Sequence, residues 1–199
     1  MERLLLLKGF NNFIGITFPL GLMYLSSSLK RRYPDVEVRL VDLRLSNQDY
    51  HTLEETVRVF RPTVVGLSFL SAEMGSVDRI LEIVKSADPS TPVIAGGPHS
   101  SSDPEGTLKR FPRIDFVAVG EGEEIFSEWF GALREGRREF ESIQGLVRRK
   151  DDGGIFVNPP RSHLRELDDL PSPDYSLVRM EGPNAMRPSN SCWTISGVW

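Results

Sequence analysis

Residues 64–97, VVGLSFLSAEMGSVDRILEIVKSADPSTPVIAGG, decide the fold of this chain. The apolar run Val64–Leu70 predicts a buried strand, and Pro89 and Pro92 enclose the turn before a second short apolar run, Val93–Ala95. Between the two runs, apolar residues recur at helical spacing, at Val77, Ile80, Leu81 and Val84. A helix that connects two strands predicts that the strands are parallel members of one sheet.

The same alternation of strand and helix extends outward in both directions. The other strands are predicted at Leu4–Leu7, Val36–Asp42 and Phe116–Val119. The other helices are predicted at Leu20–Arg32, at Leu53–Phe60, from Asp103-Pro104 to Phe111, and over Ile125–Leu133 with Gly136 as its stop. The pattern predicts an α/β fold, a doubly wound flavodoxin-like five-stranded parallel sheet in the order 2-1-3-4-5.

The periodic pattern changes near residue 137. Residues 1–137 are predicted to form the α/β domain, and residues 138–160 a β-hairpin that pairs Ile143–Arg149 with Ile155–Val157 across a glycine-bearing turn. Residues 161–199 are rich in proline and weakly periodic, so we expect them to form a linker that leaves the domain.

The composition excludes several classes of protein. Hydrophobic residues make up 39% and charged residues 26% of the chain, which is ordinary for a globular protein. The 24 basic and 28 acidic residues give a net charge of −4, which argues against a nucleic-acid partner. No apolar run approaches the roughly 20 residues that span a bilayer, and the single cysteine, Cys192, rules out internal disulfides. We therefore predict a soluble, cytoplasmic domain.

The candidate site follows from the predicted topology, because open parallel sheets bind ligands at the carboxyl ends of their strands. Four loops lie there, and their candidate binding residues are Phe10, Asn11, Asn12 and Phe13; Ser68, Leu70 and Ser71; Gly96, Gly97 and His99; and Gly120, Glu121 and Gly122. The glycines would let a flat or extended ligand lie on the main chain. A plainer interpretation is that strands turning into helices commonly carry glycine, with Glu121 and Glu123 ordering the last loop at a helix N-terminus.

No phosphate-binding Walker pattern occurs, and no residue is assigned as catalytic or as a metal ligand. Several segments instead occur in the order of a known family, and each is a weak signal alone. They are Pro19–Leu25, Val65–Ser68, Gly96–His99, Gly120–Glu123, Gly145–Val147 and Leu167–Tyr175. In this order and spacing, residues 1 to about 180 resemble the N-terminal cobalamin-binding domain of B12-dependent radical S-adenosylmethionine enzymes, the group that includes anaerobic magnesium-protoporphyrin ester cyclases.

The resemblance implies a cofactor and its placement. A corrin ring would lie across the strand ends, over the loop after strand one and the loop after Ser68, with its nucleotide tail near Gly96 and Gly97. The Asp-x-His-x-x-Gly element of the wider B12-binding fold is missing, since no histidine precedes His51. We therefore expect cobalamin in a base-off form without a protein histidine on cobalt, the loop after strand one presenting the bulky Phe10 instead.

The resemblance also implies a partner. Its enzymes continue into a barrel whose Cys-x-x-x-Cys-x-x-Cys motif holds an iron–sulfur cluster, and one cysteine cannot hold such a cluster. The leading hypothesis is a cobalamin-binding module, not catalytic alone, that is truncated from or acts with a radical S-adenosylmethionine enzyme in methyl transfer or related radical chemistry. The alternative is a flavodoxin-like interaction domain that has lost its cofactor. A flavin or nucleotide enzyme is a third interpretation.

Overall fold

The computed structural model describes residues 2–10, 17–45, 48–150, 152–162 and 169–178. Seven strands form one sheet in the order β2-β1-β3-β4-β5-β6-β7. The strands are β1 (Arg3–Lys8), β2 (Glu37–Asp42), β3 (Val64–Ser68), β4 (Val93–Gly96), β5 (Phe116–Ala118), β6 (Leu146–Arg149) and β7 (Ile155–Val157). The helices are α1 (Leu20–Arg32), α2 (Tyr50–Phe60), α3 (Met74–Ala87), α4 (Pro98–Ser102), α5 (Pro104–Arg110) and α6 (Gly122–Arg134). The first five strands are parallel, so the predicted order 2-1-3-4-5 is confirmed.

Helices cover both faces of the sheet because successive strand side chains point to opposite sides. In β1, Leu4 and Leu6 pack with α1 and α6, whereas Leu5 and Leu7 pack with α2 and α3. All four leucines are fully buried. Two apolar layers therefore enclose the parallel strands, which explains why these strands read as continuous apolar runs rather than as alternating ones.

The β-hairpin corrects the predicted strand count. β6 and β7 pair antiparallel as expected, but β6 also pairs antiparallel with β5, with Val117 opposite Val147. The sheet therefore has seven strands rather than five. The buried Leu146 and Val147 extend the two apolar layers, and this burial is the physical reason why the hairpin joins the sheet.

Residues 169–178 return to the domain, although the sequence favoured a linker that leaves it. The main-chain N–H of Asp174 donates to the carbonyl oxygen of Met23 in α1 over 3.1 Å. The Asp174 carboxylate accepts from Ser26 Oγ and Lys30 Nζ, each at 2.7 Å. Burial alone would raise the pKa of Asp174, but donation from Lys30, Ser176 and Ser26 lowers it to about 2. An ionised aspartate thus fastens this segment to the outer side of α1.

Candidate functional site

A cavity of about 210 Å³ lies at the carboxyl edge of the sheet, between α1 and α6. Its floor is formed by the ends of β3, β4 and β5, and its mouth by the loops that follow β4 and β5. Six of the predicted binding residues line it: Ser68, Gly96, Gly97, Gly120, Glu121 and Gly122. The structure therefore brings together residues from three loops that are up to 54 positions apart in the sequence, as the parallel topology led us to expect.

Missing side chains create the cavity. Gly96 faces the same side of the sheet as Ile94, because the two residues are two positions apart in β4. A Cβ added at Gly96 would meet no heavy atom within 4 Å. A Cβ at Gly66 would come within 2.9 Å of Leu6 Cδ2 and 3.2 Å of Phe126 Cε2, so this glycine lets both side chains close the floor. The empty space above Gly96 is thus bounded by main chain and by well-packed apolar groups.

Gly97 has a different role from its neighbour. Its φ of +87° lies in the region that side-chain-bearing residues rarely adopt, and its chain then enters α4 with Pro98 as the first helical residue. An added Cβ would also lie 2.7 Å from Ser68 Oγ. The double glycine therefore combines an open wall at Gly96 with a required turn at Gly97.

The remaining predicted residues that the structure describes do not line the cavity. Phe10 is 37% exposed, and its main-chain N–H donates to Ser76 Oγ over 3.0 Å, while Asn11, Asn12 and Phe13 lie outside the described residues. His99 Nδ1 lies 2.9 Å from Ser71 Oγ, and its ring packs against the Phe69 ring at 5.2 Å. Leu70 donates its N–H to Glu73 Oε2 over 2.8 Å. These groups follow the carboxyl ends of β1, β3 and β4, at the same edge of the sheet as the cavity.

The sequence did not predict the wall contributed by α1. Gly21, Leu22 and Leu25 line the cavity from that helix, and Phe126 lines it from α6. Two signals could have found this wall: a glycine in the first turn of α1, and a glycine, Gly66, inside the most apolar strand. Each marks a position where another group approaches closely or space is left.

Glu123 is the most perturbed acid of the cavity. Burial raises the pKa of its carboxyl, the nearby charges of Glu121 and Glu124 raise it further, and its own main-chain N–H partly opposes both. Glu121 is the N-cap residue of α6, yet its side chain makes no capping hydrogen bond there. The Glu123 carboxyl instead accepts from a main-chain N–H at this helix N-terminus, and both acidic residues line the cavity.

Two buried ion pairs fix the loops beside the cavity. Lys8 at the end of β1 donates to Glu73, which is fully buried. Arg44 binds Asp42 through two contacts, Nε to Oδ1 at 2.9 Å and Nη2 to Oδ2 at 2.7 Å. Burial lowers the pKa of Lys8, although donation to Glu73 opposes this effect. Because each of these charges is buried against its partner, the two ion pairs hold the strand ends in one geometry.

A larger depression, of about 700 Å³, lies at the opposite edge of the sheet. Arg3, Arg61 and Thr63 border it, and the C-terminal ends of α2 and α3 point toward it. Ligands of open parallel sheets bind at the carboxyl ends of the strands, where helix N-termini converge. We therefore take the smaller cavity as the functional site.

The family model of the B12 binding domain matches residues 9–129 of this chain. The matched segment begins just after β1 and ends within α6, so it contains every strand end and helix that forms the cavity. The chain belongs to the B12-binding domain family. This confirms the resemblance inferred from the order of the sequence segments.

Relatives with longer chains carry similar sequences. An uncharacterized methyltransferase of Pyrococcus horikoshii is 32% identical over 163 residues, which cover 82% of this chain and 34% of that protein. The anaerobic magnesium-protoporphyrin IX monomethyl ester cyclase of Rubrivivax gelatinosus is 26% identical, with coverage of 82% and 29%. The cobalamin-dependent radical SAM methyltransferase TokK of Streptomyces tokunonensis is 30% identical over 124 residues, with coverage of 62% and 18%. This chain thus spans about a third or less of the length of these relatives.

A solved structure shows the same fold. The cobalamin-dependent S-adenosylmethionine radical enzyme OxsB, with aqua-cobalamin and S-adenosylmethionine bound, superposes with a TM-score of 0.74 at 18% identity. The superposition covers 88% of this chain and 25% of OxsB. The present chain is therefore a B12-binding domain that resembles those of cobalamin-dependent radical SAM methyltransferases.

The described residues of the B12-binding domain lack two features. Within the described ranges, no helix has both the length and the apolar character needed to cross a membrane. The same part of the chain brings no three histidine, cysteine, aspartate or glutamate side chains together as a metal site.

Proposed function

We propose that this domain binds cobalamin in a base-off form, with the nucleotide tail in the cavity between α1 and α6. The observation that carries the proposal is the open space above Gly96, at the edge where this fold binds its ligand. A cavity of about 210 Å³ is smaller than the roughly 300–1,000 Å³ of pockets that enclose a whole drug-sized ligand. It therefore suits one end of a corrinoid rather than all of it.

The residues present fit such a tail. The apolar floor at Ile94, Ala118 and Phe126 suits the face of an aromatic base, and the glycines permit contact with main chain. The corrin ring would then lie over the mouth, near Phe10 and the Ser71–His99 pair. Ser68, Gly120 and Gly122 would border the tail where it enters the cavity.

The proposed partner is a radical S-adenosylmethionine domain. TokK and OxsB combine both cofactors according to their names, and this chain spans only a fraction of each. When bound, cobalamin supplies a cobalt centre that can carry a methyl group. The chain's own residues bind and orient the cofactor, and none of them is assigned to catalysis, so methyl transfer or related radical chemistry would require the partner domain.

Binding can be tested with purified protein and hydroxocobalamin. After mixing and desalting, we expect the corrinoid spectrum to co-elute with the protein at one equivalent. Ligand at 100 to 1,000 times its dissociation constant should stabilise the fold by about 3–4 kcal/mol, raising the melting temperature. Folded protein that retains no corrinoid, with an unchanged melting temperature, would instead favour the interaction domain that has lost its cofactor. Bound flavin in the purified protein would support the third interpretation.

The coordination of cobalt gives a second prediction. The loop after β1 carries the bulky Phe10 and Phe13 and no histidine, since none precedes His51, so no imidazole from that loop can reach the lower face. If the nucleotide tail occupies the cavity, its benzimidazole is withdrawn from cobalt as well. We therefore expect the electron paramagnetic resonance spectrum of the bound Co(II) form to lack superhyperfine splitting from an axial nitrogen. A resolved nitrogen triplet would contradict base-off binding without a histidine ligand.

A further inference from the structure

Glu123 places an ionisable side chain on the cavity wall. It is the second residue of α6, directly after Gly122, and it lines the cavity together with Glu121. The other lining groups are glycines, small or apolar residues and Ser68. No lysine or arginine is among the residues that line the cavity in the described part of the chain.

This charge distribution restricts what the cavity can hold. A phosphate group inside it would meet the Glu123 carboxyl and no lysine or arginine among the described lining residues, which is unfavourable where water is displaced. A neutral group that carries an O–H or N–H donor would instead supply the Glu123 carboxyl with a partner. That carboxyl accepts from its own main-chain N–H, and no described side chain donates to it, so it has room for a further donor.

We propose that Glu123 accepts a hydrogen bond from the sugar–base end of the corrinoid nucleotide and thereby makes this domain select corrinoids that carry a complete nucleotide. The inference rests on the proposed cobalamin function and deepens it. The phosphate of the tail would remain at the mouth, where Gly97 and Gly120 present main chain, and the neutral sugar and base would pass Glu123 to reach the apolar floor.

The test compares two ligands on three variants. Dissociation constants for aquocobalamin and for cobinamide, which lacks the nucleotide, are measured by calorimetric titration on wild-type protein, Glu123→Ala, Glu123→Gln and Glu124→Ala. Glu124→Ala is the matched control, because it removes a carboxyl group from the next residue of α6. The Glu124 carboxylate does not line the cavity and pairs with Arg161 at 2.7 Å.

We expect Glu123→Ala to weaken aquocobalamin binding by about tenfold, the size of one buried hydrogen bond, and to leave cobinamide binding unchanged. Glu123→Gln, which keeps an acceptor oxygen, should lose less, and Glu124→Ala should match wild type. Equal losses for both ligands, or no loss for aquocobalamin, would overturn the role of Glu123. Wild-type protein that binds neither corrinoid would overturn the proposed function itself, and the role of Glu123 with it.

Discussion

Gly96→Val is expected to weaken cobalamin binding by roughly 10- to 100-fold while the domain stays folded. Its Cβ would enter open space on the cavity side of β4, so the branched side chain would occupy the volume assigned to the nucleotide tail. Overfilling a packed site costs about 1–3 kcal/mol, which corresponds to a loss in affinity of roughly 10- to 100-fold. Valine also suits a strand better than glycine, so the melting temperature should not fall. Titration with aquocobalamin, together with thermal unfolding, measures both effects.

Gly97→Val provides the contrasting variant one residue later. There the positive φ and the 2.7 Å approach to Ser68 Oγ predict lost stability, on the order of 1–3 kcal/mol, before any effect on the ligand. Cobinamide serves as the matched ligand, because Gly96→Val should leave its binding unchanged. If Gly96→Val binds aquocobalamin as wild type does, the cavity does not hold the tail.

Lys8→Met should cause a large loss of stability, because Lys8 belongs to a buried ion pair. Methionine has a similar length, but it removes the ammonium group that donates to the fully buried Glu73. Removing one member of a buried ion pair costs about 3–5 kcal/mol, because the remaining charge is uncompensated. Equilibrium unfolding in urea at neutral pH measures this loss as a lower midpoint with an unchanged slope.

The double variant Lys8→Met with Glu73→Gln separates charge from packing. Glutamine keeps an acceptor for the Leu70 N–H and removes the buried charge, so most of the lost stability should return. Arg39→Met is the surface control, since its partner Glu37 is exposed and such pairs contribute about 0–1 kcal/mol. A single Lys8→Met variant as stable as wild type would show that the pair adds nothing to the fold.

The sequence predicted the parallel core well because the apolar runs are local signals. The bounds of α1, Leu20–Arg32, were predicted to the residue, since a proline precedes the helix and three basic residues end it. The hairpin was also recognised, but its place beside β5 was not. Pairing with a sheet edge depends on contacts between residues about 30 positions apart, such as Val117 and Val147, and no local pattern encodes them.

The residues at the strand ends of the candidate site were predicted from the sequence, and most of those on its helices were not. Strand ends of a parallel sheet converge by topology, so Ser68, Gly96 and Gly120 were expected to lie together, and they do. The contributions of Gly21 and Glu123 depend on which way α1 and α6 face across the sheet. That orientation follows from packing of the whole apolar layer rather than from the spacing of residues along one helix.

The antiparallel hairpin has a consequence for aggregation. A parallel sheet that ended at β5 would expose a strand with unpaired main-chain groups, which can template pairing with another chain. Here β6 covers that strand, and the new edge, β7, is only three residues long and is followed closely by two prolines, Pro159 and Pro160. At the other edge, β2 carries the exposed charges of Glu37 and Arg39. Both edges of the sheet are thus unfavourable templates for an added strand.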